Sequence, residues 1–202
     1  GKIKDQGIVP IAMDGADKWP LYILQYDIMQ KLDGPEVYDK CIDAISKGDF
    51  SDPDFKKSAD MLQQAAKDGV FGVGFETTDY GTAQNLFLNG QAAMYYMGSW
   101  DMSIANNQDV DEATRAGFRA FSLPVIDGGK GTATDLTAWN GGGYSVTSSA
   151  ANKEEAIKLL KFMFQPENWT RIAWENGVCM SAQDFSQFAT GNETQLQKDF
   201  MV

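Results

Sequence analysis

The sequence predicts an α/β fold, helix-rich with a short mixed sheet, and three observations carry that prediction. Apolar residues recur at helical spacing over much of the chain. Short apolar runs bounded by Gly, Pro and Asn fall between those stretches. Strands and helices therefore alternate instead of segregating. The 202 residues are 43% hydrophobic and 22% charged, ordinary for a chain long enough to bury a core.

The elements follow in order. Gly1 to Gly7 reads as the last turn of a helix with Gly7 as its C-cap. Ile8 to Met13 is a short apolar run after a Gly, which suits a buried strand. After the polar turn Asp14 to Lys18, Trp19-Pro20 opens a helix with Pro in its first turn and the stripe Leu21, Leu24, Ile28, Leu32. A second helix is expected from Glu36 to Lys47. A third starts at Asp52-Pro53, with Asp52 as N-cap and Phe55, Ala59, Leu62 and Ala66 inward, and it stops at Gly69.

Phe71 to Phe75 is a loop or weak strand, and Asp79 to Leu88 a helix closed by Asn89-Gly90. Gln91 to Met97 is the most convincing strand. Trp100 begins a short helix, and Asn106 to Glu112 is a polar loop. Strands are also expected at Phe118 to Leu123 and at Tyr144 to Thr147. Asn152 should cap an amphipathic helix from Lys153 to Phe164, and Pro166 opens the next, ending near Gly177. The closing residues, Gln195 to Val202, stop inside a helical pattern, so both ends read as cut from a longer protein.

Composition excludes several chemistries. The chain has no histidine, which removes Ser-His-Asp triads, Cys-His pairs and imidazole proton shuttles. Its 17 basic and 28 acidic side chains give a net charge of -11, which repels nucleic acid and anionic membrane surfaces. Cys41 and Cys179 form no CxxC motif and read as two buried thiols, with pairing left open. No stretch approaches the roughly 18 apolar residues of a membrane span.

The glycine-rich stretch Gly128-Gly129-Lys130-Gly131 fails as a phosphate loop, because position 124 is Pro and position 131 is Gly. The run Asn107 to Asp111 fails as a calcium loop, with Glu112 where Gly is needed. Neither a metal nor a cofactor is expected. Asp14, Asp17 and Asp101 could in principle serve a glycoside hydrolase. Short Asp in turns is ordinarily a turn or cap residue, and a carboxylate pair in one cleft with one raised pKa is expected to be absent.

Tryptophan is the informative residue. Trp169 and Trp174 lie in a helical pattern and read as core. Trp19, Trp100 and Trp139 sit at loops or helix starts beside small residues and Asp or Asn. A sugar ring has an apolar C–H face that stacks on indole and a hydroxyl rim that carboxylates and amides hold. The neighbours Asp14, Asp17, Asp101, Asn140, Gly141 and Gly142 supply such polar groups and close backbone approach.

Four segments in order then resemble the extracellular solute-binding proteins of ABC importers, in their carbohydrate-binding group. They are Gly7 to Ala12 leading to Trp19-Pro20; Phe87 to Met94 with Gly98-Ser99-Trp100; Leu123-Pro124 with Gly128-Gly129; and Gly142 to Val146 followed by Asn152 to Met163. The second is the most specific, similar to the family's F-x-x-G-x-A-A-M and G-x-W.

The resemblance implies a periplasmic-binding-protein-like (type II) lobe within a two-lobed receptor about twice this length. Residues 1–117 would be the bulk of the second lobe, 118–165 a strand–helix crossover belonging to the first, and 166–202 a return to the second. It further implies a sugar held in the interlobe cleft, ABC permease subunits as partners, and an extracytoplasmic location. Any membrane attachment would lie outside this chain. By resemblance Trp100 is the stacking platform, Asp14 and Asp17 the hydroxyl-binding turn, and Trp139 to Gly142 the other lobe's contribution. Ala16 stands where maltose-binding protein carries an aromatic, which leaves the size of the sugar open.

Overall fold

The structure is a computed structural model that describes residues 1–138, 143–180 and 183–201. Two units share the chain. The first is built from Gly1–Met97 and Ser122–Ala138, the second from Gly98–Phe121 and Trp139–Val202.

In the first unit, β1 (Val9–Ala12) pairs in parallel with β2 (Ala92–Tyr95), with Val9 opposite Ala92, Ile11 opposite Met94 and Ala12 opposite Tyr95. Parallel strands need a long crossover, and the helices between them provide it. The expected mixed sheet is thus a parallel pair among the described residues. Gly7 ends a short 3-10 turn with φ 76 and donates its N–H to Lys4, as its cap role required.

Helix α1 (Trp19–Asp33) buries Leu24, Ile28 and Leu32 against Met13 and Phe71. The second helix, α2, runs Val37–Lys47 and the third, α3, Pro53–Lys67. Asp52 caps α3 by accepting from the Asp54 N–H at 2.9 Å. The inward face of α3 is Met61, Leu62, Ala65 and Ala66, with Ser58 buried and Ala59 exposed. Ser58 can take that place because its hydroxyl donates to the Phe55 carbonyl at 2.9 Å and accepts from Gln25 at 3.3 Å. Helix α4 (Tyr80–Leu88) is capped by Asp79, and its Ala83 packs on Ala12 and Ala92. Small side chains there let helix and strands approach closely.

The segment Ser122–Ala138 docks on the end of α1. Lys130 and Gly131 donate their N–H groups to the Leu32 and Lys31 carbonyls, which the helix itself leaves unpaired. A Cβ at Gly131 would collide with the Lys31 backbone, so only glycine fits that contact. Lys31 is 1% exposed, and its ammonium donates to the carbonyls of Thr132 and Asp135, each at 2.6 Å.

The second unit has its own core of Met102, Trp174 and Phe185, with Met180 and Phe200 against it. Met102 lies in a 3-10 helix, Ser99–Asn106. Asp111 caps α5 (Glu112–Ala116), a helix where the sequence suggested only the end of a polar loop. Helix α6 (Lys153–Met163) buries no side chain, and Asn152 makes no side-chain cap to it. The next helix, α7 (Pro166–Trp169), runs into a π-type turn, Thr170–Trp174, which turns Trp174 fully inward. The last, α8 (Gln195–Asp199), starts with a capping box between Thr194 and Gln197, and Gln197 also donates to the Trp174 carbonyl at 2.6 Å.

Two expected strands are absent. Residues 118–123 and 144–147 are irregular in structure. A strand needs a ladder partner, and the Ala120 N–H instead donates to the Asp199 carboxylate at 2.8 Å. Phe118 is buried without belonging to a sheet. Both cysteines are free and half-buried, and burial pushes both thiols up. Among the described residues no helix is long and apolar enough to cross a membrane.

Candidate functional site

The first group of candidate residues sits on the loop that leaves β1. Because β1 and β2 are parallel and Ala12 lies opposite Tyr95, this loop and the chain leaving β2 emerge at the same carboxyl end of the sheet. In open α/β sheets ligands bind outside that end.

The loop is rigidly built. Gly15 and Ala16 both donate N–H groups to the Thr78 carbonyl at 3.1 Å. A Cβ on Gly15 would strike the Phe75 carbonyl, so glycine is required there. Asp14 is fully buried, and its Oδ1 accepts from the Asp17 N–H at 3.0 Å. This is the turn role expected of a short Asp. Its Oδ2, by contrast, has no hydrogen-bond partner among the described residues.

Burial raises the Asp14 pKa, and the Asp17 and Asp79 carboxylates push in the same direction. Asp14 thus has a raised pKa with Asp17 beside it, but it is fully buried and faces no cleft among the described residues. Asp79 itself is held below the usual range, first by its bond from the Thr82 side chain and then by the Thr82 N–H.

Lys18 adopts φ 67, the one positive φ outside glycine among the described residues. Across it the Trp19 N–H reaches the Asp17 carbonyl at 2.8 Å, which ends the loop and starts α1. Asp17 is exposed. Trp19 is half-buried, with its ring 6.2 Å from that of Tyr80 at an angle of 30°. Tyr80, the first residue of α4, had no signal in the sequence to tie it to this loop.

The second group lies in the other unit. Gly98 and Trp100 form one device: a Cβ at Gly98 would overlap the Trp100 indole, so the ring lies directly over that glycine. This gives the Gly-x-Trp spacing a steric reason. Trp100 remains part-exposed, whereas Asp101 is 9% exposed within the 3-10 helix, its N–H bonded to the Gly98 carbonyl at 3.1 Å. Trp139, Asn140, Gly141 and Gly142 lie outside the described residues. The core assignment holds for Trp174, at 0% exposure; Trp169 is only half-buried and stacks on the half-buried Phe164 at 4.9 Å, outside that core. Among the described residues no group of three or more His, Cys, Asp or Glu could hold a metal ion.

Comparison with known proteins places this geometry. A structure solved in work on xylan utilisation by the thermophilic bacterium Caldanaerobius polysaccharolyticus is 23% identical, with a TM-score of 0.80 over 99% of this chain and 50% of that one. A chitin oligosaccharide binding protein is 24% identical, with a TM-score of 0.72 over 99% of this chain and 48% of that one. The chain thus spans about half the length of these solved structures, and they share its periplasmic-binding-protein-like fold. No curated protein matches. The model of the bacterial extracellular solute-binding proteins matches residues 1–168, and the chain belongs to that family.

Proposed function

We propose that this chain is part of the substrate-binding component of an ABC sugar importer, holding a mono- or oligosaccharide and delivering it to the permease. The observation that carries the reading is the Trp100 indole, part-exposed over Gly98, the kind of face that a pyranose stacks on. Asp14, buried at the carboxyl end of β1, accepts from the Asp17 N–H and so holds the turn that presents the exposed Asp17 carboxylate, an acceptor for a sugar hydroxyl. Trp19, Asp17 and Asp101 stand near these two in sequence, and Trp139 to Gly142 complete the proposed set.

The xylan and chitin-oligosaccharide systems of the structural neighbours are carbohydrate systems, which supports the same ligand class here. Residues 1–117 are read as the second lobe of the receptor, 118–165 as the crossover segment and 166–202 as the return. The family is extracellular, so the chain works outside the cytoplasm; the periplasm or a lipid-anchored cell surface is the proposed place. The mechanism is binding without chemistry: contacts made better in one receptor state shift the population toward it, and the permease recognises that state.

The test is calorimetric titration of neutral sugars, xylo- and chito-oligosaccharides included, against the receptor that carries this chain. Binding of at least one sugar, weakened about tenfold or more by Trp100→Ala, is the expected result. Unchanged affinity in that variant removes Trp100 from the site, and no binding by any sugar removes the reading.

A further inference from the structure

Asp27, on the middle of α1, has both carboxylate oxygens engaged by residues far away in sequence. Oδ2 accepts from the Tyr96 hydroxyl at 2.5 Å, and Oδ1 accepts from the Thr137 hydroxyl. Tyr96 is the penultimate residue of the stretch Gly1–Met97, and Thr137 the penultimate residue of Ser122–Ala138. The chain leaves the first unit one residue after each. A single carboxylate therefore holds both points where the chain passes outward into the second unit.

The surroundings reinforce these holds. The Tyr96 N–H reaches the Ala12 carbonyl at 3.3 Å, so Tyr96 is tied to β1 by its backbone and to α1 by its side chain. Lys31, one helical turn beyond Asp27, clamps the carbonyls of Thr132 and Asp135 on the segment that carries Thr137. At the inward crossing, Ser122 donates its hydroxyl to the Ala133 carbonyl. Charge-assisted bonds are stronger than neutral ones, and Asp27 makes both of these from a partly desolvated place.

We propose that Asp27 is a positioning residue for ligand binding, which fixes both outward crossings of the chain and thereby holds the Gly98-x-Trp100 platform, four residues beyond Tyr96. The role in binding rests on the sugar-binding reading above; the clamp itself does not. Since Asp27 is not read as touching sugar, it acts only through the segments that it holds.

The test uses the receptor that carries this chain, in two arms. The first is backbone amide hydrogen exchange without sugar, on the parent and on Asp27→Ala, Tyr96→Phe and Thr137→Val. Tyr96→Phe is expected to speed exchange about tenfold at residues 96–98, Thr137→Val at residues 135–138, and Asp27→Ala at both. Exchange in Asp27→Ala that rises uniformly over the first unit, or at neither crossing, overturns the clamp. The second arm titrates xylotriose and chitotriose. Asp27→Ala is expected to weaken a sugar that the parent binds by about threefold to tenfold, and Tyr96→Phe to weaken it less. Localised exchange with unchanged affinity overturns the positioning role. If the receptor that carries this chain binds no neutral sugar, the sugar-binding reading fails, and the exchange pattern still decides the clamp.

Discussion

At Gly98 one missing side chain determines the place of another. The backbone there, at φ −94, is open to any residue, and the nearest obstacle to a larger side chain is the Trp100 ring above it. Gly98→Ala is therefore expected to fold with little loss of stability while the indole swings off its seat. Near-ultraviolet circular dichroism and Trp fluorescence should change while the thermal midpoint moves by only a few degrees. An unaltered tryptophan signal would mean that the ring is held by something other than this contact. Gly15 is different: its neighbour is the Phe75 backbone, which cannot rotate away, so the same substitution there must distort the loop that carries Asp14. The Gly-x-Trp spacing was legible in the sequence, and Asp14 was legible as a turn residue. Its orphaned second oxygen was not, because burial at the mouth of a strand is set by Thr78 and Phe75, more than sixty residues away in sequence.

At the scale of elements, helix starts were the most readable feature, since a cap is a local event. Asp52 and Pro53, and Asp79 before Tyr80, mark their helices within four residues of chain. Strands were not readable in the same way. An apolar run such as 118–123 looks alike whether or not a ladder partner stands beside it, and here the Ala120 N–H found the Asp199 carboxylate instead. The ends of the helices also carry an ion network that periodicity cannot show. Asp33, the last residue of α1, pairs with Lys40 of α2 and, at 2.7 Å, with Lys130. Lys40 also reaches Asp52 at 3.1 Å and Asp54 at 3.3 Å, at the start of α3.

The bonds from Lys130 and then Lys40 hold the Asp33 carboxyl below its usual value of 3.8. A carboxyl lowered in the folded state contributes stability above that value, and the contribution is lost as pH falls through the folded pKa. Asp33→Asn is thus expected to be less stable than the parent near pH 7, by about 1 kcal/mol. The two thermal midpoints should converge as pH falls through the lowered folded pKa of Asp33. Parallel midpoint curves down to acid would show that Asp33 ionisation adds nothing.

At the scale of the whole molecule, the separate cores make the two units separately vulnerable. Trp174 is fully buried against Phe185 at 4.9 Å, and its removal would leave a cavity in the second core. Trp174→Ala is expected to cost that unit about 3–5 kcal/mol. Exchange protection should fall at the amides of Gly177 and Val178, which bond to Trp174 and Ala173, and persist at Ile11, which bonds to Val70. An equal loss at Ile11 would mean that the chain unfolds as one block. The division itself was hidden from the sequence, because the first unit recruits Ser122–Ala138 from beyond the second unit's opening segment. Lys31 finds its carbonyl partners 101 to 104 residues further on. Its amine is thereby sealed from acylating reagents for as long as that recruited stretch stays docked. In a lysine-footprinting experiment on the native chain, Lys31 would be the silent position among exposed lysines such as Lys47 and Lys56, and its first appearance would time the undocking of residues 132–135.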